Sequence, residues 1–239
     1  MTEASEHAAP ERPVRTDKTW VYHACRSATW LGYRLALPPT FRGVEHLPKT
    51  GGVLVAANHQ SFLDIPLIAQ STGRHVCFVA RDTLAHSKLL AYIMNGCNAV
   101  LIGRGKGDRA ALRAIVAHLE AGDCVAMFPE GTRTRDGRLG AFHSGALVAA
   151  RKAGVPLVPA AVDGSWRAWP PGRSLPRPTR LSLEYAPAVD SALPDALERV
   201  RAAIAERLPP DAQPHPPSAP DSESVPTTDA RSERAEGRH

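Results

Sequence analysis

The sequence predicts an α/β fold: a single layered domain with a mostly parallel, mixed sheet flanked by helices, preceded by an N-terminal interfacial helix. Three observations carry this. Short apolar runs recur along the chain, helix-like stretches alternate with them, and glycines stand where those helices should end. Short runs without polar alternation suit strands buried on both faces, and strand–helix alternation is the pattern of a layered sheet. At 239 residues and 43% hydrophobic content, one domain can bury a sizeable core. No internal repeat is present.

Taken in order, residues 1–16 are polar, with Pro10 and Pro13. They lack the apolar centre of a secretory signal and are expected to be disordered. The folded domain is expected over 17–208, with its N-terminal helical part about 17–40. Trp20–Leu35 is the first expected helix. Its neighbourhood, Trp20–Leu37, contains His23, Arg26 and Arg34. Each arginine at a bilayer centre costs about 2.5–3.5 kcal/mol, so a membrane span is not expected. The stretch suits an interface, with Trp20, Tyr22, Trp30 and Tyr33 as anchors and its arginines towards anionic headgroups. Packing on the domain is the other reading.

The expected strands are Val53–Ala57, Val76–Ala80, Ala99–Gly103, Cys124–Phe128, Leu157–Val162 and Leu181–Tyr185. The first five are short apolar runs, and Gly51-Gly52 leads into the first. The expected helices between and after them are Ser61–Gln70, Ser87–Asn95, Arg109–Ala121, Gly145–Ala153 and Leu193–Leu208. Gly96, Gly122 and Gly154 stand at C-terminal cap positions. Residues 209–239 hold seven prolines and, with six acids against three arginines, a net charge of −3. That composition cannot bury a core and reads as a disordered tail.

The whole chain carries +5, so the remainder is +5 − (−3) = +8. A basic domain suits an anionic membrane surface, a CoA-type donor or a phosphorylated acceptor. Nucleic acid is disfavoured: the positive charges are scattered, aromatics are 5%, and no nucleic-acid motif is present. Cys25, Cys77, Cys97 and Cys124 show no CxxC pairing. They read as reduced, buried thiols, with no metal site.

The most informative segment is Asn58-His59-Gln60-Ser61-Phe62-Leu63-Asp64, at the exit of the first apolar strand. Loops at that end of an α/β strand place reactive groups. Histidine is readily tuned as a proton acceptor, and a carboxylate holds its tautomer. Five residues on a continuous helix turn about 140° past a full turn, so the two side chains would not share a face. A loop leading into a helix solves this, and Ser61-x-x-Asp64 has the form of a capping box. The plain alternative is a helix-start carboxylate beside an ordinary loop histidine.

A second polar block, Phe128-Pro129-Glu130-Gly131-Thr132-Arg133-Thr134, follows the run Cys124–Met127. Ala99-Val100-Leu101-Ile102-Gly103-Arg104 and Val155-Pro156-Leu157-Val158-Pro159 complete the set. In this order the four blocks resemble those of the glycerolipid acyltransferase family, typified by 1-acylglycerol-3-phosphate O-acyltransferases. The resemblance covers about residues 40–190. The first and third blocks match NHxxxxD and FPEGTR(S/T) fully, whereas Gly103 stands where the family usually has Asp.

The resemblance implies that His59 is the general base and Asp64 its orienting partner. It assigns Arg104, Glu130, Gly131, Thr132 and Arg133 to the phosphorylated acceptor. Arg104 would clamp phosphate, Gly131 permits close backbone approach, and Glu130 fixes Arg133 or the acceptor glycerol. An exposed Glu130–Arg133 pair in a charged turn is the plain reading of that block. Val155, Pro156 and Pro159 are expected to shape an acyl channel, or to edge the sheet. Trp166 and Trp169, with Pro170 and Pro171, form an apolar loop that dips into lipid or packs as core or lid. Ser144 lacks a nucleophile elbow and reads as a helix N-cap.

The implied reaction moves a fatty acyl chain from acyl-CoA or acyl-carrier protein to the free hydroxyl of 1-acylglycerol-3-phosphate, giving phosphatidic acid. No cofactor is expected. The implied setting is the cytoplasmic face of the cell membrane, as a peripheral or monotopic protein on an anionic surface. Gly103 keeps another lysolipid, glycolipid or aminolipid acceptor open. A lipid hydrolase and a non-catalytic membrane-surface module are the readings from other classes.

Overall fold

The computed structural model describes residues 19–81, 88–97, 99–102 and 108–215. The helices are α1 (Trp20–Ala36), α2 (Asp64–Ser71), α3 (Lys88–Gly96), α4 (Asp108–Glu120), α5 (Gly145–Ala153), α6 (Ser165–Ala168) and α7 (Ala196–Ala205). The strands are β1 (Pro39–Arg42), β2 (Val53–Ala57), β3 (Val76–Arg81), β4 (Val100–Ile102), β5 (Cys124–Met127), β6 (Leu157–Asp163) and β7 (Leu181–Tyr185). They form one sheet in the order β1-β7-β6-β2-β5-β3-β4. Every pairing is parallel except β6 with β7, so the mostly parallel mixed sheet is as expected.

All of β2 is buried, and its alternation divides the core. Val53, Val55 and Ala57 face one side with Tyr33 of α1 and Leu67 and Ile68 of α2. Leu54 and Ala56 face the other side with residues of α4, α5 and α7. Burial on both faces is why these strands read as continuous apolar runs. At the C-terminal ends of β2 and β5 the chain leaves the sheet into the first and third motif blocks.

α1 packs on the domain by one side and stays bare on the other. Tyr22 and Tyr33, expected as interfacial anchors, are buried, and Tyr33 Oη donates to Leu63 O at 2.8 Å. Arg26, expected to face headgroups, donates instead to the carbonyls of Ala69 and Thr72 at 2.7 and 2.8 Å. For Arg26 the cause is plain: the last carbonyls of α2 lack helical partners and need donors. Trp20, Trp30, Leu31 and Leu35 remain exposed. Among the described residues no helix is long and apolar enough to cross a membrane.

Ser144 occupies the N-cap of α5 without a side-chain cap bond, and Gly154 ends that helix at φ 62°. Cys77 and Cys124 are buried, as expected, while Cys25 and Cys97 are only partly so. The packed chain runs past the expected boundary at 208. Leu208 and Ala212 are buried, Ala212 O accepts the Leu139 N–H at 2.9 Å, and His215 Nε2 meets Asp136 Oδ2 at 2.8 Å. The expected segment 1–16 and the tail beyond 215 lie outside the described residues.

Candidate active site

The first block leaves β2 and wraps around one carboxylate. Asp64 is fully buried, and its Oδ2 accepts the Gln60 N–H at 2.7 Å and the Ser61 N–H at 2.8 Å. His59 Nδ1 lies 2.9 Å from the same oxygen. Half of the expected capping box is therefore present: Asp64 takes the Ser61 amide. The Ser61 hydroxyl accepts the Leu63 N–H at 3.3 Å rather than the Asp64 N–H, and donates to Trp169 O at 2.7 Å. Helix α2 starts at Asp64, three residues later than expected, because residues 60–63 curl to deliver these N–H groups.

An ionised carboxylate only accepts, so the partners assign the His59 proton to Nδ1. That leaves the lone pair of Nε2 for chemistry. The ring stacks on Phe128, centroids 3.9 Å apart and planes 15° off parallel. The imidazole is thus held by Asp64 at one edge and by Phe128 across its face, with 15% of its side chain exposed.

The third block supports His59 from below. Pro129 and Gly131 suit the second and last positions of the turn closed by the Gly131 N–H to Phe128 O bond, 3.0 Å. Gly131 has φ +68°, and a Cβ there would stand 3.3 Å from the His143 ring. The turn aims Glu130 inward. Glu130 Oε1 accepts the His59 backbone N–H at 2.8 Å, and Oε2 accepts the Gly140 N–H at 3.1 Å. Burial pushes the Glu130 carboxyl up to about 7, against the lowering effect of these two N–H bonds. Thr134 N–H completes the clasp on His59 O at 2.8 Å.

Of the two roles expected for Glu130, fixing Arg133 or the acceptor glycerol, the first is not seen: no ion pair joins Glu130 and Arg133 among the described residues. Arg133 instead lies over the Phe62 ring, its Cζ 3.8 Å from the centroid. Burial lowers its pKa while the Asp64 charge opposes that. Both aromatic partners were missed from sequence, because nothing in a spacing says which ring a cation will cover. Gly131 and Thr132 are exposed beside it. Arg104, with Gly103, lies outside the described residues.

Val155 and Pro156 are not brought to this site. Leu54 pairs with Leu157 across parallel β2 and β6, so Pro156 is level with Val53, six residues and roughly 20 Å of strand before His59. Both line an open groove at the opposite end of the sheet. Pro159 is buried inside β6 between β2 and β7, not at a sheet edge.

Three further polar residues of the first block hold the site. Asn58 donates to Val162 O at 2.8 Å and accepts the Val162 N–H at 2.7 Å, tying β2 to the end of β6. Gln60 donates to Gly137 O at 3.0 Å, and its Oε1 accepts from Ser165 Oγ at 3.2 Å. Ser61 reaches Trp169, as above. The signal was available: buried polar residues at the exit of a wholly apolar strand must find partners. Asn58→Ala is expected to leave the Val162 N–H and C=O unpaired and to lower unfolding stability by about 2–4 kcal/mol. Chemical denaturation checks this, and a loss below about 1 kcal/mol would contradict it.

A buried carboxylate–imidazole pair, an open Nε2 and a neighbouring arginine, all beyond the C-terminal ends of parallel strands, suit proton abstraction from a hydroxyl near an anion. A family model described as Acyltransferase matches residues 38–163, more than half of the chain. The chain belongs to the acyltransferase family. One relative is a chloroplastic 1-acyl-sn-glycerol-3-phosphate acyltransferase of Brassica napus, 34% identical over 134 residues, covering 55% of this chain and 39% of the relative. Another is a lyso-ornithine lipid O-acyltransferase of Pseudomonas aeruginosa, 31% identical over 141 residues, covering 58% of this chain and 54% of the relative. The crystal structure of the 1-acyl-sn-glycerophosphate acyltransferase PlsC of Thermotoga maritima matches with a TM-score of 0.67 at 28% identity, covering 76% of each chain. The chain thus spans well under half the length of the first of these relatives. Among the described residues of this acyltransferase no cluster of three His, Cys, Asp or Glu stands ready for a metal ion.

Proposed function

We propose that this acyltransferase moves a fatty acyl chain from acyl-CoA or acyl-carrier protein to the free hydroxyl of 1-acylglycerol-3-phosphate, giving phosphatidic acid in phospholipid biosynthesis. The observation that carries this is the His59–Asp64 pair, with Nδ1 engaged and Nε2 left open, one loop away from Arg133. In this reading Nε2 takes the acceptor's hydroxyl proton as its oxygen attacks the thioester carbonyl. Asp64 stabilises the imidazolium that forms. Collapse of the tetrahedral adduct breaks the C–S bond, and the departing thiolate takes the proton from His59. No acyl-enzyme is needed.

Arg133 is the proposed phosphate ligand, held over Phe62; Thr132 and the Gly131 backbone stand beside it, and Arg104 joins them by resemblance. Glu130 is proposed to position His59 through its backbone rather than to touch the acceptor. Work at an anionic membrane surface, on the cytoplasmic face as a peripheral or monotopic protein, is proposed from the bare side of α1. Trp20, Trp30, Leu31 and Leu35 would meet lipid there. A lyso-aminolipid acceptor is the second reading, favoured by the similarity to the lyso-ornithine lipid enzyme.

The test is transfer from radiolabelled long-chain acyl-CoA, then acyl-carrier protein, to lysophosphatidic acid and lyso-ornithine lipid. Label in phosphatidic acid supports the reading, label in the aminolipid alone moves the acceptor, and no transfer from either donor overturns both. In the same assay Arg133→Ala is expected to raise the KM for lysophosphatidic acid about 10–100-fold, the loss of a charge-assisted bond. The donor KM should stay within about twofold; equal rises in both would remove Arg133 from the acceptor.

A further inference from the structure

We propose that the loop from Trp169 to Arg180 is a second lipid-contacting element, docking on anionic headgroups beside the active site. This rests on the reading of α1 as lipid-facing and extends it to a segment remote in sequence. The loop joins α6 to β7 at the His59 end of the sheet. At its start, Ser61 holds Trp169 O, and the Trp169 ring lies 6.4 Å from Phe62, the ring that carries Arg133. At its end, Leu181 N–H donates to Pro38 O at 3.3 Å, where α1 runs into β1. The loop therefore bridges the active-site rim and the end of α1 that bears Trp30, Leu31 and Leu35.

Its composition and shape point to an anionic surface. Residues 164–183 contain four arginines and no acid. Arg167 is engaged by Asp163 and Asp211, but Arg173, Arg177 and Arg180 are exposed and form no ion pair among the described residues. Leu175, between Arg173 and Arg177, is 74% exposed. One exposed leucine is ordinary; flanked by unpaired arginines on a stiffened loop, it forms an apolar tip with a basic collar. The stiffness comes from Pro170, Pro171, Pro176 and Pro178 and from three bonds. Arg177 N–H meets Ala168 O at 2.8 Å, Trp169 Nε1 meets Arg173 O at 2.7 Å, and Arg173 Nε meets Leu175 O at 3.0 Å. Residues 171–178 are all exposed, so the loop is convex, unlike the concave site a small ligand needs. Continuity with the bare aliphatic end of α1 selects lipid over an acidic protein.

Vesicle sedimentation of the full chain, with neither donor nor acceptor present, tests this. A failure of the acyl-transfer reading therefore leaves the result intact. On phosphatidylglycerol-containing vesicles, R173Q/R177Q/R180Q is expected to lower partitioning about a hundredfold, roughly fivefold per arginine. Leu175→Asp, which removes no hydrogen bond, should lower it about tenfold and keeps the test valid if the triple variant misfolds. On pure phosphatidylcholine the triple variant should match wild type. Partitioning within about threefold of wild type for both variants overturns the proposal. So does retained vesicle binding with lost calorimetric binding to an acidic acyl-carrier protein, which would make the loop a donor dock.

Discussion

Replacing His59 with alanine is expected to lower kcat for acyl transfer by about 10²–10⁴-fold, the usual worth of a positioned general base. The fold should survive. Asp64 Oδ2 keeps the Gln60 and Ser61 N–H groups after the ring is gone, so no buried carboxylate is stripped of its donors. The ring's stacking on Phe128 is its main packing contact, and the melting temperature should move only a few degrees. Substrate KM values should change little, because the ring acts on the reacting proton rather than on headgroup or chain. Asp64→Ala is a poorer probe: it leaves two buried amides unpaired at about 1–3 kcal/mol each, mixing stability with chemistry. Steady-state kinetics beside a thermal melt decides. A kcat within about tenfold of wild type, with an unchanged melt, removes His59 from the base role.

Glu130→Gln is expected to change how stability depends on pH. In the folded protein the Glu130 carboxyl is pushed up to about 7 from 4.5, chiefly by burial. Between those values the native state keeps a proton that the unfolded chain has released. Stability from this group is therefore fully present below about pH 4.5 and is lost as pH rises towards 7. The loss approaches roughly 3 kcal/mol. Denaturation of wild type and Glu130→Gln from pH 4 to 8 isolates it, since other groups cancel in the difference. Wild type should fall relative to the variant across that window and level off above it. The amide cannot satisfy both the His59 and Gly140 N–H groups, which adds an offset independent of pH. A difference that stays flat with pH would show that the carboxyl is not raised.

Three expected elements, Val53–Ala57, Gly145–Ala153 and Leu181–Tyr185, have the observed bounds. Each has glycine, proline or a polar residue within two positions of both ends and carries apolar residues that need burial. β1 (Pro39–Arg42) was not legible. It starts with proline, alternates between half-buried and exposed, and is a strand only through its pairing with β7 at the sheet edge. α7 is shorter than expected at both ends: residues 193–195 turn before entering it, with the Ala196 N–H on Leu193 O at 3.2 Å, and residues 206–208 tighten after it, with the Leu208 N–H on Ala205 O at 3.2 Å.

The same division runs through the site. Local chemistry determined that His59 and Asp64 would meet at a strand exit, because a loop of five residues can hardly separate them. Spacing alone does not make a catalytic pair, however. His118 and Asp123 share the same interval and also bond, at 2.8 Å, yet they lie at the N-terminal end of β5, both largely buried. Which pair meets the polar loops of the site was decided by the sheet, whose parallel strands send His59 and Asp64 to their C-terminal ends and His118 and Asp123 to their N-terminal ends. The third dimension likewise turned Glu130 to the His59 backbone, laid Arg133 on Phe62, and carried Val155 and Pro156 to the far end. These contacts join residues some seventy or more apart, or depend on strand direction. A local pattern specifies which groups must be buried and paired; the partner is chosen only when distant strands pack and the nearest satisfying donor, ring or carbonyl becomes available.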